Sequence, residues 1–302
     1  MIVLKQVIIM ALLILTGVIC YKSKVISKEA TKSLSSLVLM VVNPIVIIVS
    51  YQVVFDSKLL KGLLIAVAFS VISMAAAIVL SHIFLRKKGE CLPLERFSCI
   101  YSNCGFMGIP LVKGVYGAEG VFYLTAFVTV FNILVWTHGV FMMKGSFKPK
   151  MIVRAMKTPA VIATVVGFLL FILKISVPET IFKTLSFLAD MNTPLAMIAA
   201  GVTIAQTNIL KSLKNIRLYQ VSFVSLILVP AATAAIICLF PVESVVKGTV
   251  ILASACPAAA TGTLFAIKFK KDSFYASELF AVTTLLSIAT LPVIMSVAQK
   301  LI

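Results

Sequence analysis

Ser102-Asn103-Cys104-Gly105-Phe106-Met107-Gly108-Ile109-Pro110 places polar, glycine and proline residues inside a long apolar run. In the second half of the chain, Ala255-Cys256-Pro257-Ala258-Ala259-Ala260-Thr261-Gly262 does the same, with its proline 147 residues after Pro110 (257 − 110). Proline lacks an N–H and clashes with the turn before it, while glycine allows unusual dihedrals and close backbone approach. In hydrocarbon, a broken helix survives only where protein or a wet cavity satisfies its freed backbone groups. Interruptions at corresponding places in two halves of a membrane chain point to a binding site.

The surroundings of both stretches are those of a membrane protein. Of 302 residues, 61% are hydrophobic and 12% charged, and the mean hydropathy is +1.13, whereas soluble domains carry about 25% charged residues. Ten apolar stretches can each cross a ~30 Å hydrocarbon core: roughly 2–20, 34–55, 62–85, 97–116, 120–142, 156–174, 184–206, 217–239, 245–267 and 276–299. The first lacks a small-residue cleavage site before Tyr21 and is read as a retained helix.

The net charge of +17 is a topology signal, and nucleic acid is not an expected partner. The loops after spans 1, 3, 5, 7 and 9, with their flanks, carry 19 of the 27 Lys and Arg residues. Lys and Arg are retained on the cytoplasmic side, which puts both termini outside, in a plasma or inner membrane, and requires an even number of spans. Some attraction to anionic lipid follows.

Three landmarks recur with similar offsets. Asn43-Pro44 in span 2 answers Asn192-Thr193-Pro194 in span 7, the two interruptions lie in spans 4 and 9, and Glu119 answers Asp272. A five-span repeat follows, residues 1–142 and 152–302, joined by a short cytoplasmic linker at 143–155. Because five is odd, the second repeat is inverted relative to the first. The expected fold is therefore all-α and polytopic, with ten transmembrane helices in two inverted five-helix repeats.

In span 4 the ends of half-helices offer unpaired N–H groups and partial positive charge, which suits a carboxylate. Asn103 adds a donor-acceptor amide there, with Gly105, Gly108 and Pro110 shaping the break. In span 9, Cys256, Pro257 and Thr261 form the counterpart, and the small residues between them leave room for a crossing segment. A kink packed on a neighbouring helix is the alternative for either break taken alone. Asn43 and Asn192 join the candidate site as a symmetric pair, although an isolated Asn in a membrane helix often bonds only nearby backbone. Asp190 is the acid placed to face a bundle interior and is the candidate for ion coupling; capping a helix or pairing with a lysine are its other roles. Glu278 is a weaker candidate. His82 and His138 have no further ligands at metal spacing, so no metal site and no cofactor are expected. No nucleophile elbow, Walker loop or zinc-peptidase motif stands in a suitable context, and no enzyme is expected. The remaining cysteines read as packing residues.

At these residues the chain resembles the auxin efflux carrier family. The run Asn103 to Gly117 (NCGFMGIPLVKGVYG) is similar to that family's pattern, with Gly108-Ile109-Pro110-Leu111, Lys113-Gly114 and Tyr116-Gly117 in order. Leu188-Ala189-Asp190 through Gly201 resembles its seventh helix, and Cys256-Pro257 through Leu291-Pro292 its last two. The resemblance implies a scaffold and a transport domain, helices 4 and 9 crossing near their prolines, and an anionic substrate at the crossing beside Asn103, Pro110 and Pro257. The chain departs from long plant members in lacking a large hydrophilic central loop, and Cys256 before the second proline gives no support for aromatic auxins. Its compact form is more similar to bacterial permeases, for which malate- or malonate-like acids are the expected substrates. The expected function is thus secondary transport of small organic anions by alternating access, with H⁺ or Na⁺ as coupling ion and a homodimer as a further partnership. A sodium-coupled symporter of the bile-acid type, an anion channel and a membrane sensor are the competing classes.

Overall fold

The computed structural model describes residues 2–86, 89–146 and 149–301. The helices that matter here are α1 (Ile2–Lys22), α2 (Lys28–Ser50), α3 (Ser57–Phe84), α4 (Leu92–Ile100), α5 (Cys104–Lys144), α6 (Lys150–Met156), α7 (Pro159–Ile172), α8 (Glu179–Ala205), α9 (Ile216–Ile237), α10 (Ser244–Ala255), α11 (Thr261–Lys268) and α12 (Ser273–Leu301). Seven of them, α1, α2, α3, α5, α8, α9 and α12, are long and apolar enough to cross a membrane, while α7 and α10 are shorter apolar helices. Part of the expected 143–155 linker forms α6; residues 147 and 148 within it lie outside the described residues.

At 41 residues, α5 would be about 60 Å long if straight, twice the hydrocarbon thickness. Gly117, at φ 65° and ψ −152°, breaks it into two arms. That positive φ is one glycine adopts at little cost. The gap between the expected spans 4 and 5, residues 117–119, is thus reduced to a sharp glycine kink.

Three prolines act differently from the expectation that proline breaks the helix. Wide π turns at Val38–Val42, Cys104–Gly108 and Val224–Leu228 each end two residues before a proline, namely Pro44, Pro110 and Pro230. The proline ring crowds the carbonyl four residues back and donates nothing to it. Widening the preceding turn lets the helix pass through. Pro110 therefore sits inside continuous α5 and not at the interruption.

The closest helix pair is α1 with α8. A Cβ built on Gly17 would fall on the Ile198 carbonyl, and one on Gly201 on the Ile14 carbonyl. Small residues permit this backbone approach, the main device for holding helices together in lipid. Elsewhere, rings fill the space between α2, α5 and α7: Tyr51 packs edge-on to Phe122 and Phe168, and its hydroxyl bonds Thr125 at 2.9 Å. Ile8, Leu12, Leu15 and Ile19 of α1 and Val165 and Leu169 of α7 point outward, where they meet lipid.

One buried ion pair ties three helices together. Glu95 of α4, 4% exposed, accepts from Arg217 of α9 through Nη2 at 2.6 Å and Nε at 2.9 Å. Tyr275 of α12 donates to the same carboxylate at 3.0 Å. Glu95→Ala leaves the Arg217 guanidinium, 19% exposed and still bonded to Gln220, without its carboxylate, at a cost of about 1.5–3 kcal/mol. A fall in thermal stability of the purified protein is the expected result, and unchanged unfolding would show that the triad bears no load.

Candidate functional site

The two interrupted stretches cross and pair. Between α4 and α5 the chain leaves the helix over residues 101–103, and between α10 and α11 over residues 256–260. Ser102 and Ala258 form an isolated antiparallel bridge. The Asn103 N–H donates to the Pro257 carbonyl at 2.7 Å, and the Ala259 N–H donates to the Tyr101 carbonyl at 2.9 Å. Each broken helix thereby satisfies the backbone of the other, which is what a break in hydrocarbon requires.

Side chains complete the crossing. The Ala253 carbonyl would normally accept from residue 257, but Pro257 has no N–H; the Ser102 hydroxyl donates there instead, at 2.7 Å. The Ala258 N–H donates to the Thr283 hydroxyl at 3.1 Å, and that hydroxyl donates in turn to Leu279 O at 2.7 Å. Ser102, Asn103, Cys256 and Ala258 are all at most 5% exposed, so the crossing is closed to solvent.

Asn43 of α2 comes to the start of α5, and α8 brings up the segment that begins at Asn192. A Cβ on Gly105 would stand 3.2 Å from the Asn43 Nδ2, so this glycine serves close approach and not unusual dihedrals. The segment of α8 that begins at Asn192 packs on the Cys104–Gly108 turn. Four buried amide atoms here have no protein partner: Asn43 Oδ1, Asn103 Nδ2, and Asn192 Nδ2 and Oδ1. Buried polar atoms are nearly always bonded, so such a group needs an explanation. The first amides of α5 likewise have no preceding turn to bond, and the helix dipole makes that end partly positive. Two unpartnered donors, Asn103 Nδ2 and Asn192 Nδ2, and two unpartnered acceptors, Asn43 Oδ1 and Asn192 Oδ1, thus lie buried on the segments that meet at the start of α5, with no full cation among them.

Other expected site residues lie at its edge. Gly108 faces Cys256, whose Sγ would be 3.6 Å from a Cβ there; Cys256 donates weakly to Leu252 O at 3.3 Å. Pro110 stands along α5 from the bridge, its carbonyl accepting from Gln6 Nε2 at 3.0 Å. Thr261 opens α11, and its Oγ1 has no protein partner. Asp190 is outside the enclosed group. It does not face the bundle interior; its side chain is 64% exposed and pairs with Lys113 of α5 at 2.8 Å. Glu278 accepts from the Ser212 hydroxyl at 2.9 Å. All six cysteines are free.

Sequence reasoning overlooked Glu95, the deeply buried acid, because its partners Arg217 and Tyr275 are distant in sequence and Glu95 lies just before a predicted span. It also overlooked Tyr101, whose hydroxyl donates to Leu134 O at 3.0 Å and lies 2.8 Å from His138 Nδ1. A cavity of about 710 Å³ lies away from the crossing, between α3, α4 and α9, with Phe84, Arg86, Cys91, Arg217 and Phe223 on its walls.

Apolar helices of membrane-spanning length, built around two broken segments that cross, define a membrane transport protein. The profile of the family described as "Membrane transport protein" matches residues 2–149 and again 146–295. The chain belongs to this family, that of the auxin efflux carriers, and it is a transporter and not an enzyme. It is similar to an uncharacterized transporter of Methanocaldococcus jannaschii, 27% identical over 94% of this chain and 95% of that one. An uncharacterized transporter of Methanothermobacter thermautotrophicus is 25% identical over 93% of each.

Proposed function

We propose that the protein is a secondary carrier for small organic anions, mono- or dicarboxylates, working by alternating access around the crossing. The observation that carries this reading is the cluster of unpartnered Asn43, Asn103 and Asn192 amide atoms at the start of α5. A carboxylate entering there would receive N–H bonds from Asn103 Nδ2, Asn192 Nδ2 and the helix terminus, without the desolvation cost of a buried cation. Ten crossings in two inverted repeats, residues 1–142 and 152–302 about a cytoplasmic linker at 143–155, belong to the same reading. So do both termini outside a plasma or inner membrane, a homodimeric assembly, and H⁺ or Na⁺ as coupling ion at Asp190. The double match of the family profile supports the repeat. The exposed Lys113–Asp190 pair joins α5 to α8, two helices that must move relative to each other if the crossing is to open.

Purified protein in liposomes, offered labelled malonate, malate or acetate with and without sodium and a pH gradient, tests the reading. Saturable flux that unlabelled substrate competes away is the expected result. A conductance without saturation would make the protein a channel, strict sodium dependence would move it to the symporter class, and no flux of any carboxylate would remove the substrate assignment. Asp190→Asn should change the proton or sodium dependence of that flux; an unchanged dependence excludes Asp190 from coupling.

A further inference from the structure

Beside the crossing, two cations gather on the chain's single tryptophan. The Arg154 guanidinium of α6 lies 5.1 Å from the Trp136 ring centre, and the Lys268 ammonium at the end of α11 lies 5.0 Å from it. The two charges are thus no further apart than the sum of those distances. Among the described residues neither makes a hydrogen bond or an ion pair with an acid, although three other basic side chains, Lys113, Lys183 and Arg217, do find acids. Partial burial, and then the nearby Arg154 charge, lower the Lys268 pKa from its ordinary value. A ring quadrupole holds each cation with about 0.5–1 kcal/mol at an exposed site and does nothing to relieve their mutual repulsion.

The place is joined to the crossing by a run of packed rings. Trp136 packs on Phe265 at 5.2 Å, Phe265 on Phe97 at 5.3 Å, and Phe97 on Tyr101 at 4.6 Å. Tyr101 is the residue whose carbonyl holds the Ala259 N–H. Arg154 and Lys268 come from the basic loops after the fifth and ninth spans, the side read as cytoplasmic.

We propose that Arg154 and Lys268, gathered over Trp136, form a docking site for a water-borne carboxylate at the cytoplasmic mouth of the pathway. The proposal rests on the carrier reading and names a second, outer station for the same anion. Two cations held on one aromatic ring with no acid between them set up a local positive field, which draws anions to this surface. The lack of any acid to compete leaves that role open to a solute.

Because Trp136 is the only tryptophan, its emission reports this site alone. The test is a titration of Trp136 fluorescence with malonate, in protein reconstituted into vesicles of neutral phosphatidylcholine, with chloride at matched ionic strength as control. A saturable change with malonate is expected, and Arg154→Gln or Lys268→Gln should each weaken it by about tenfold or more. Both side chains are exposed, so the variants should fold. Trp136→Phe should abolish the signal. No malonate response beyond chloride, an unchanged half-saturation in both Gln variants, or a response elicited only by adding phosphatidylglycerol to the vesicles would each overturn the proposal. Asn103→Ala separates the two readings. If this variant transports like wild type, the crossing is not the transport site; if it loses flux but keeps the titration, the outer station stands independently.

Discussion

Replacing Gly201 with valine should leave almost no folded protein, read as monodisperse material recovered from membranes and as its thermal unfolding. The Gly201 Cα face meets the Ile14 carbonyl and the Gly17 Cα directly, so the added methyls have only backbone to displace. Flexible side chains give way cheaply, whereas two helix backbones must separate as rigid bodies. Overpacking a well-filled core costs about 1–3 kcal/mol, and here it also removes contacts along the most extensive helix pair, α1 with α8. Gly201→Ala should fall between wild type and valine. A valine variant as stable as wild type would mean that α1 and α8 do not approach as described.

Asn103→Ala should abolish or cut transport by about ten- to a hundredfold, the loss expected when a hydrogen bond to a charged group disappears, while stability is kept or slightly raised. The bridge to Pro257 uses the Asn103 backbone N–H, which alanine retains. What alanine removes is a buried Nδ2 with no protein partner, and deleting an unsatisfied polar group relieves its desolvation cost. Stability and activity therefore move in opposite directions, as at a site kept for function. Asn192→Leu should behave likewise, since both of its amide atoms are unpartnered. Losing stability and flux together would show these amides to be structural.

The place of the two breaks was legible because glycine, proline and asparagine have no propensity reason to sit within apolar runs. The manner of its construction was not. Proline signals a disturbed turn without saying whether the helix ends, as at Pro257, or widens and continues, as at Pro110. The offset between those prolines therefore did not give the pairing, which joins Ser102 to Ala258. Gly117 falls in the gap between the expected spans 4 and 5, and a positive φ that kinks two helical arms leaves no mark in the sequence beyond the glycine itself. Burial was also hidden. Asp190, between apolar neighbours, is exposed with Lys113, while Glu95, beside Arg96 at the edge of a span, is enclosed by groups from two later helices. Local pattern records which residues are unusual, and only the tertiary arrangement decides which of them meet.

The loan of a hydroxyl from Ser102 to the carbonyl orphaned by Pro257 sets a timetable for biogenesis. Donor and acceptor are 151 residues apart, so at a synthesis rate of about 5–20 residues per second the first break waits on the order of ten to thirty seconds for its counterpart. Through that interval α4 and the first arm of α5 carry open backbone groups that lipid cannot satisfy. The early helices must then be sheltered by the insertion machinery or by water until the last third of the chain arrives, which makes closure of the crossing a late checkpoint in assembly.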